Sequence, residues 1–322
     1  MPEVRFDELA TRLRAGGVVD VRPLAGGASS LTFSGSMAGR RVVIKVAPPG
    51  IVPTSNRDVL RQSRIIRALG STSVPVPEVL WEDAGAPPGT PPLFVMSLVD
   101  GTSVEPLFDL QVDDAGKDVM AQRQLNAART LADLHRVERA TLDIRDVPAA
   151  APRDEIDRWS LALQTVDPGL VAGWEGVREM LVASVPAPCP PALVHGDFRL
   201  GNLLAVGTRI TAVVDWEIWS VNDPRVDLGW FLLNGDPHTY RRETRYAGSM
   251  PARAELVAAY GDSLGVDVVD LSWFEALAAF KSVATWSLIV KHNRRRATPD
   301  PDIEMLAPVL PRLLARAGTL MG

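Results

Sequence analysis

Cysteine and histidine are scarce in this chain of 322 residues. One cysteine, at position 189, cannot form a disulfide within the chain, and the four histidines offer no grouping with the spacing of a zinc site. Low cysteine content is typical of a reducing compartment, and residues 1 to 7 lack the apolar segment of a secretory signal. We therefore expect a cytoplasmic protein.

Long apolar runs and concentrated positive charge are also lacking. No window reaches the roughly 20 apolar residues that a membrane span needs, so no membrane association is expected. The net charge is -5, and the arginine clusters at 241–242 and 294–296 are short and isolated, which argues against a nucleic-acid partner. The length favours two domains, at roughly 150 residues each. Nothing in the sequence indicates the oligomeric state.

Lysine is nearly absent, and this makes one predicted strand stand out. The 34 basic residues include only four lysines, Lys45, Lys117, Lys281 and Lys291. Lys45 lies in the apolar segment 42–46. A compact ammonium group suits phosphate oxygens as a point charge, whereas arginine offers a planar fork. The position therefore predicts phosphate binding, with a chance surface lysine as the alternative.

Hydrophobic periodicity predicts a β-rich beginning and a mostly helical remainder. Strands are predicted at 18–21, 31–34, 41–46 and 93–96, and a helix over 56–69 is predicted to be capped by residues 54–56. Further helices are predicted at 4–15, 117–136, 153–165, 168–184, 252–264, 270–292 and 302–318.

The most informative segment combines two acids and an amide at fixed spacing. Residues 193–204 read LVHGDFRLGNLL, and VVDWE follows at 213–217. Asp197 and Asn202 are separated by four residues, and Asp215 ends an apolar run, which is the spacing of a kinase catalytic loop and its magnesium aspartate. Two apolar segments around residues 206–208 predict a hairpin that brings the three groups to one point. The pattern predicts a phosphoryl-transfer site; ordinary loop polar residues are the alternative.

These residues resemble the aminoglycoside phosphotransferase and choline kinase-like superfamily, whose pattern is His-Gly-Asp, an Asn five residues later, and a strand that ends in Asp. Similarity continues in DPRVDL at 223–228, in LADLH at 131–135 and in the loop PLAGGASSLTF at 23–33. The branch that it most resembles is the kinase-like domain joined to acyl-CoA dehydrogenases in some proteins. The resemblance covers roughly residues 20 to 235.

This resemblance implies an α+β, protein-kinase-like bilobal fold. A small β-rich N-terminal lobe, residues 1–98, would bind the nucleotide, and a larger helical lobe, residues 99–322, would carry the catalytic loop and the acceptor site. The implied activity is transfer of the γ-phosphate of ATP, or GTP, to a hydroxyl of a small molecule with Mg²⁺. The choice of nucleotide and the identity of the acceptor stay open.

Each part of such a site has a candidate. Asp197 would act as the base, Asn202 and Asp215 would bind magnesium, and Lys45 would hold the α- and β-phosphates. The other nucleotide-binding candidates lie in the glycine loop, in the helix after the lysine strand and in the predicted hinge between the lobes. They are Gly26, Gly27, Ser29, Ser30, Gln62, Met96, Ser97 and Val99.

Three residues near this segment are expected to support it. His195 is expected to fix the loop by donating a ring N–H more than to act as an acid or base. Arg199 either stabilises the transferring charge or pairs with a carboxylate such as Glu217. Asp227 resembles a residue that braces the catalytic loop through backbone N–H groups.

One departure from the family favours a rival function. The helix after the lysine strand usually offers a Glu to the Lys, but the register places Gln62 there, and Asp58 is the possible substitute. A pseudokinase or nucleotide-sensing protein is therefore the alternative to an enzyme. A serine hydrolase, suggested by Gly-Asp-Ser-Leu-Gly at 261–265, requires a strand before the serine, whereas the sequence there is helical.

Overall fold

The computed structural model describes residues 6–24, 30–105, 114–240 and 246–322. Its helices are α1 (Phe6–Ala15), α2 (Val59–Leu69), α3 (Asp114–Arg136), α4 (Pro152–Leu163), α5 (Trp174–Ala183), α6 (Arg225–Gly235), α7 (Arg253–Leu264), α8 (Leu271–Asn293), α9 (Pro301–Glu304) and α10 (Leu310–Met321). Its strands are β1 (Val18–Pro23), β2 (Leu31–Met37), β3 (Arg40–Val46), β4 (Val79–Asp83), β5 (Leu93–Ser97), β6 (Ala192–Val194), β7 (Leu203–Val206), β8 (Arg209–Val213) and β9 (Ser220–Asn222).

The chain divides into two compact units. The first contains Met1–Thr102, Glu138–Arg145 and Asn202–Trp219, and the second contains Ser103–Val137, Asp146–Gly201 and Ser220–Gly322. Strands β1 to β5, helices α1 and α2 and the β7–β8 hairpin therefore belong to the first unit. The predicted lobe boundary after residue 98 stays a prediction.

The first unit is built on a five-stranded antiparallel sheet in the order β1-β2-β3-β5-β4. Val42, Ile44 and Val46 of β3 are fully buried in the core that this sheet shares with α1. Since side chains alternate along a strand, Lys45 lies on the opposite face. The predicted strands at 18–21, 31–34, 41–46 and 93–96 are confirmed, and the lysine strand β3 lies in the middle of the sheet.

The predicted cap of α2 is wrong. Residues 55–57 form a separate 3-10 turn, and the helix begins at Val59. Asp58 is the N-cap, and its carboxylate accepts the backbone N–H groups of Leu60 and Arg61, both at 3.1 Å. A helix start needs such an acceptor for its unpaired N–H groups, and Asp58 meets this need better than the hydroxyls before it.

The predicted hairpin after residues 193–202 is confirmed. Leu203 pairs with Val213 and Val206 with Arg209, which leaves a two-residue turn at Gly207 and Thr208. Gly207 has a φ of 58°. Such turns require a left-handed backbone, which glycine adopts without strain.

The second unit is helical, and α8 lies at its centre against α4, α5, α6 and α10. Gly229 of α6 allows one of these contacts, because a Cβ atom there would stand 2.5 Å from the backbone oxygen of Phe274. The sequence did not predict α6, since ten of its eleven residues are buried and no polar face reveals the helical period.

Two other predicted helices are shorter than expected. In 168–184, Gly173 has a φ of 87°, so only a 3-10 turn precedes it and α5 follows. In 302–318, α9 ends at Glu304 and α10 begins at Leu310 after another 3-10 turn. Gly173 therefore sets the start of α5, and proline lies at the start of both the 3-10 turn and α10.

Helix α8 alone among the described helices is long and apolar enough to cross a membrane, contrary to the expectation that no segment would be. Buried residues make up 78% of its most apolar window. An apolar helix surrounded by other helices has this composition for packing reasons.

Candidate active site

Lys45 contacts an acid from the segment that follows the hairpin. Its Nζ lies 2.8 Å from Oδ1 of Asp215, and only 11% of its side chain is exposed. The strand sequence fixes this arrangement, because the apolar neighbours of Lys45 occupy the core face. Two of the predicted site residues, the phosphate-binding lysine and a magnesium aspartate, are therefore together.

Asp215 has a left-handed backbone with a φ of 69°. Such a conformation is uncommon outside glycine and recurs at functional sites. Immediately before it, the N–H of Val214 donates to the carbonyl oxygen of Asn202 at 2.9 Å. This bond places Asn202, the second predicted magnesium ligand, beside the segment that carries Asp215.

The chemistry of Asn202 and Asp215 suits magnesium. Amide and carboxylate oxygens are hard donors, and Mg²⁺ commonly takes one or two protein ligands together with phosphates and water. Within the described ranges, no group of three or more His, Cys, Asp or Glu side chains is placed to hold a metal. The amide and the carboxylate therefore fit an ion whose other positions are filled by nucleotide phosphates and water.

Gln62 occupies the position beside Lys45 that the sequence predicted. It is 1% exposed, and its Oε1 lies 3.4 Å from Nζ of Lys45. Its Nε2 lies 3.4 Å from the carbonyl oxygen of Asn56. Asp58 does not substitute for the usual Glu, because its carboxylate caps α2.

A small cavity in the first unit adjoins these groups. Lys45, Gln62, Asp215 and the predicted nucleotide contact Met96 line it, together with Phe94. Ser97 is engaged elsewhere, since its hydroxyl accepts the N–H of Glu78 at 2.9 Å. Val99 is half-buried beyond the end of β5 and lies outside this cavity.

Most of the candidate residues in the predicted phosphate loop lie outside the described residues. Gly26, Gly27 and Ser29 lie outside the described residues. Ser30 is 6% exposed, and in the part of the chain that the structure describes its buried Oγ has no hydrogen-bond partner. A buried hydroxyl without a partner is costly, so it marks a position where a ligand oxygen could complete the bonding.

In the second unit, Asp197 is held by two donors. The indole Nε1 of Trp230 donates to its Oδ1 at 2.8 Å, and Nε of Arg199 lies 3.3 Å from both carboxylate oxygens. Its side chain keeps 23% exposure. The carboxylate is therefore oriented and accessible, as a proton acceptor must be.

Arg199 pairs with carboxylates, as one of its two predicted roles requires. Its Nη1 lies 2.8 Å from Oε2 of Glu105. Burial by itself lowers the pKa of Arg199, but the charges of Asp197 and Glu105 outweigh burial and raise the pKa above its ordinary value. The predicted partner Glu217 belongs to the first unit, and no sequence signal indicated Glu105, which lies 94 residues from Arg199.

Asp227 braces the loop as predicted. Its two carboxylate oxygens accept the backbone N–H groups of His195 at 2.6 Å and Gly196 at 2.8 Å. Burial raises the pKa of Asp227, but His135, at 3.5 Å, and the bonds to the loop outweigh it, so the pKa lies below its ordinary value. Gly196 has a φ of 84°, which a side chain would strain.

His195 lies within the loop that it is predicted to fix. It is fully buried, and its Nδ1 accepts the N–H of Asp197 at 3.1 Å. Nδ1 therefore carries no proton in this contact, and any ring N–H belongs to Nε2. The predicted donation by its ring N–H stays a prediction.

Lys281 contacts the loop at residues 195–199, and the sequence did not predict this contact. It is 5% exposed on α8, and its Nζ donates to the carbonyl oxygen of Gly196. The same Nζ lies 4.0 Å from the ring centroid of Trp230. The scarcity of lysine that drew attention to Lys45 applied equally to Lys281, which stands in an apolar stretch.

Trp219 and Trp273 are core residues whose indole N–H groups donate to backbone oxygens, whereas Trp230 lies at Asp197.

The serine motif at 261–265 does not form a hydrolase site. Ser263 lies inside α7, which Gly265 ends with a φ of 80°, so the strand-to-helix elbow of a serine hydrolase is not formed there.

The chain is similar in sequence to known proteins of two kinds. Acyl-CoA dehydrogenase family member 11 of Homo sapiens is 25% identical over 268 residues, which are 79% of this chain and 34% of that protein. The chain thus spans about a third of that relative. Hygromycin-B 4-O-kinase of Escherichia coli is 24% identical over 277 residues, 80% of this chain and 78% of that protein.

Solved structures show the same fold. A protein of Ralstonia eutropha JMP134, assigned by name to the aminoglycoside phosphotransferases, has a TM-score of 0.78 and 19% identity, with 99% of this chain and 98% of that chain covered. A thermostable mutant of aminoglycoside phosphotransferase APH(4)-Ia, in complex with ADP and hygromycin B, has a TM-score of 0.63 and 18% identity, with 98% of both chains covered. The predicted protein-kinase-like α+β fold is confirmed.

The family model described as "Phosphotransferase enzyme family" matches residues 20–277, a range that holds Lys45, the catalytic segment and Asp215. The resemblance predicted from the sequence motifs is therefore confirmed, and the chain belongs to the phosphotransferase enzyme family.

Proposed function

We propose that the protein transfers the γ-phosphate of ATP to a hydroxyl of a small molecule, with Asp197 as the base. The observation that carries the proposal is the setting of Asp197, whose carboxylate is accessible yet oriented by Trp230 and Arg199. Phosphoryl transfer depends on positioning and charge stabilisation more than on covalent chemistry with the protein, and a held carboxylate meets the first need.

The residues of the first unit would meet the need for charge. Lys45 would bind phosphate oxygens, and Asn202 and Asp215 would hold Mg²⁺, which when bound neutralises charge on the phosphates. The Oγ of Ser30, which has no hydrogen-bond partner among the described residues, supports a phosphate site near the glycine loop. As the acceptor oxygen bonds to phosphorus and the bond to ADP breaks, Asp197 would take the hydroxyl proton.

The acceptor class is open among hydroxylated compounds. One relative is named for phosphorylating hygromycin B, and one structural neighbour binds ADP and hygromycin B, which supports an alcohol as acceptor. Other relatives are named as acyl-CoA dehydrogenases, so hydroxyacyl compounds belong in any screen. Macrolides, sugars and amino alcohols complete the panel.

The test is ADP release in the presence of magnesium and ATP with each member of this panel. We expect Asp197→Asn to lower kcat at least about 100-fold, because the base is lost, while ADP affinity stays within about twofold. Asp157→Asn is the matched control, since Asp157 pairs with Arg178 on the surface and contacts no proposed site residue.

A nucleotide-sensing protein without efficient turnover is the second candidate, favoured by the neutral Gln62 beside Lys45. The two candidates differ in one result. If ADP binds but no panel member is phosphorylated above the rate of Asp197→Asn, the sensing function replaces the enzymatic one.

A further inference from the structure

We infer that Lys281 is a positioning residue for the Asp197 carboxylate, an inference that rests on the function proposed above. Lys281 lies in the middle of α8 and is 5% exposed. Its ammonium donates to the carbonyl oxygen of Gly196, the residue immediately before Asp197. A lysine of the central helix thus holds the backbone from which the proposed base projects.

A second path leads from Lys281 to the same carboxylate. Its Nζ lies over the ring of Trp230 at 4.0 Å from the centroid, a cation–π distance. The Nε1 of that indole donates to Oδ1 of Asp197 at 2.8 Å. Lys281 therefore contacts both the main chain next to Asp197 and the indole that donates to the Asp197 carboxylate. It forms no hydrogen bond with the carboxylate itself.

The surroundings explain why a charged group is tolerated there. Burial lowers the pKa of Lys281 below its ordinary value, and the negative charges of Asp197, Glu155 and Asp227 oppose this lowering in part. Trp159 offers a second ring face, with Nζ 5.6 Å from its centroid. A buried ammonium is stable only when carboxylates and aromatic faces of this kind surround it. The surroundings of Lys281 meet this condition.

Two roles of Lys281 make different predictions. If it merely ties α8 to the loop, its loss lowers stability and leaves turnover of the folded protein intact. If it positions Asp197, its loss lowers kcat, because a misplacement of about 1 Å at a reacting group costs roughly 100-fold. Nucleotide affinity should not change in either case.

The experiment compares Lys281→Met with Lys291→Met. Methionine keeps the apolar stem and removes the donor and the charge, and Lys291 lies on the same helix but donates to the carbonyl oxygen of Thr165. We expect kcat of Lys281→Met to fall roughly 10- to 100-fold with KM for ATP within about twofold, and Lys291→Met to behave as the unmodified protein.

A readout independent of turnover is the indole ¹H–¹⁵N resonance of Trp230, assigned by its disappearance in Trp230→Phe. Displacement of this resonance in Lys281→Met, but not in Lys291→Met, supports the inference. The double variant Lys281→Met/Trp230→Phe should lose less than the product of the single losses, because both residues act on one carboxylate. Lys281→Gln, which keeps a neutral donor, serves the same comparison if the methionine variant fails to fold.

The outcomes separate the two proposals. An active protein whose kcat changes less than threefold in Lys281→Met overturns the positioning role and leaves the phosphotransferase function standing. A protein without turnover on any acceptor overturns the proposed function. The positioning of Asp197 is then decided by the Trp230 resonance alone, and an unmoved resonance overturns it.

Discussion

Lys45 takes its opposing charge from Asp215 and its second contact from a neutral amide. The ammonium lies 2.8 Å from the carboxylate and 3.4 Å from Oε1 of Gln62. Both bonds have a charged donor, but only the carboxylate adds the attraction of an opposite charge. The balance between these two contacts decides how firmly Lys45 is held for a phosphate.

The substitution Gln62→Glu should therefore raise the affinity for ATP. A second carboxylate would hold Lys45 and reduce its need for Asp215, and we expect a gain of roughly 2- to 10-fold, measured by calorimetric titration with magnesium and ATP. Gln62→Met is the control and should weaken binding. Unchanged affinity in the glutamate variant would mean that Gln62 does not serve Lys45.

Asp227 should stabilise the folded protein in a pH-dependent way. Because its folded pKa lies below the ordinary value of 3.8, its contribution is complete above that pH and is lost as the pH falls through the lowered pKa. We expect Asp227→Asn to cost about 3 kcal/mol of unfolding free energy at pH 7, since an amide donor would face the loop N–H groups.

Urea unfolding of both proteins between pH 7 and pH 3 measures this contribution. The difference between them should be constant down to about pH 4 and should shrink below it. A difference that vanishes already at pH 6 would contradict a lowered pKa. Asp133→Asn, at an exposed helix position paired with Arg136, should be close to neutral throughout.

At the scale of the element, the close approach of α6 and α8 depends on a missing side chain. A Cβ at Gly229 would stand 2.5 Å from the carbonyl oxygen of Phe274. Backbone cannot move aside as a flexible side chain can, so the contact leaves no room for alanine.

We expect Gly229→Ala to lower the unfolding free energy by about 1–3 kcal/mol, although alanine is the better helix former. Gly176 in α5 is the matched control, because a Cβ there meets nothing within 4 Å. Gly176→Ala should stabilise by up to about 1 kcal/mol. Equal effects of the two substitutions in urea unfolding would show that helix propensity, and not packing, sets the outcome.

Most elements were predictable from the sequence, including the buried helix α8 and the buried strand β5, but the shorter buried helix α6 was not. The alternation in 41–46 identified β3 and the face of Lys45, and the apolar segments around Gly207 identified the hairpin. Helix α6 was not predicted, because it has only 11 residues and its burial on all sides removes the periodic signal. The start of α2 was misplaced because several polar residues competed for the cap.

At the scale of the whole molecule, ligand binding should stabilise the fold. A ligand that binds only the folded state raises its stability by RT ln(1 + [L]/Kd), which is about 2.7 kcal/mol at 100 times Kd. We expect ADP with magnesium to raise the melting temperature, and ADP with EDTA to raise it less, in a thermal shift assay. Lys45→Met should abolish most of the rise, whereas Lys117→Met should retain it.

Motif spacing predicted the candidate site residues but not the groups that hold them. Asp197, Asn202 and Asp215 stand at sequence distances that a chemical pattern fixes, so one sequence suffices to propose them. Glu105, Trp230 and Lys281 reach the loop from 94, 33 and 85 residues away, through tertiary packing that no local pattern encodes. Only the fold reveals these partners.

If nucleotide and magnesium bind here as proposed, we expect the ion pair of Lys45 with Asp215 to make their binding cooperative. The two groups neutralise each other, so a phosphate that binds the ammonium leaves the carboxylate available to a cation, and a cation that binds the carboxylate leaves the ammonium available to a phosphate. The first ligand to bind bears the free-energy cost of breaking the ion pair. The second ligand does not, and therefore binds more tightly. By reciprocity, magnesium should tighten ATP binding by the same factor by which ATP tightens magnesium binding.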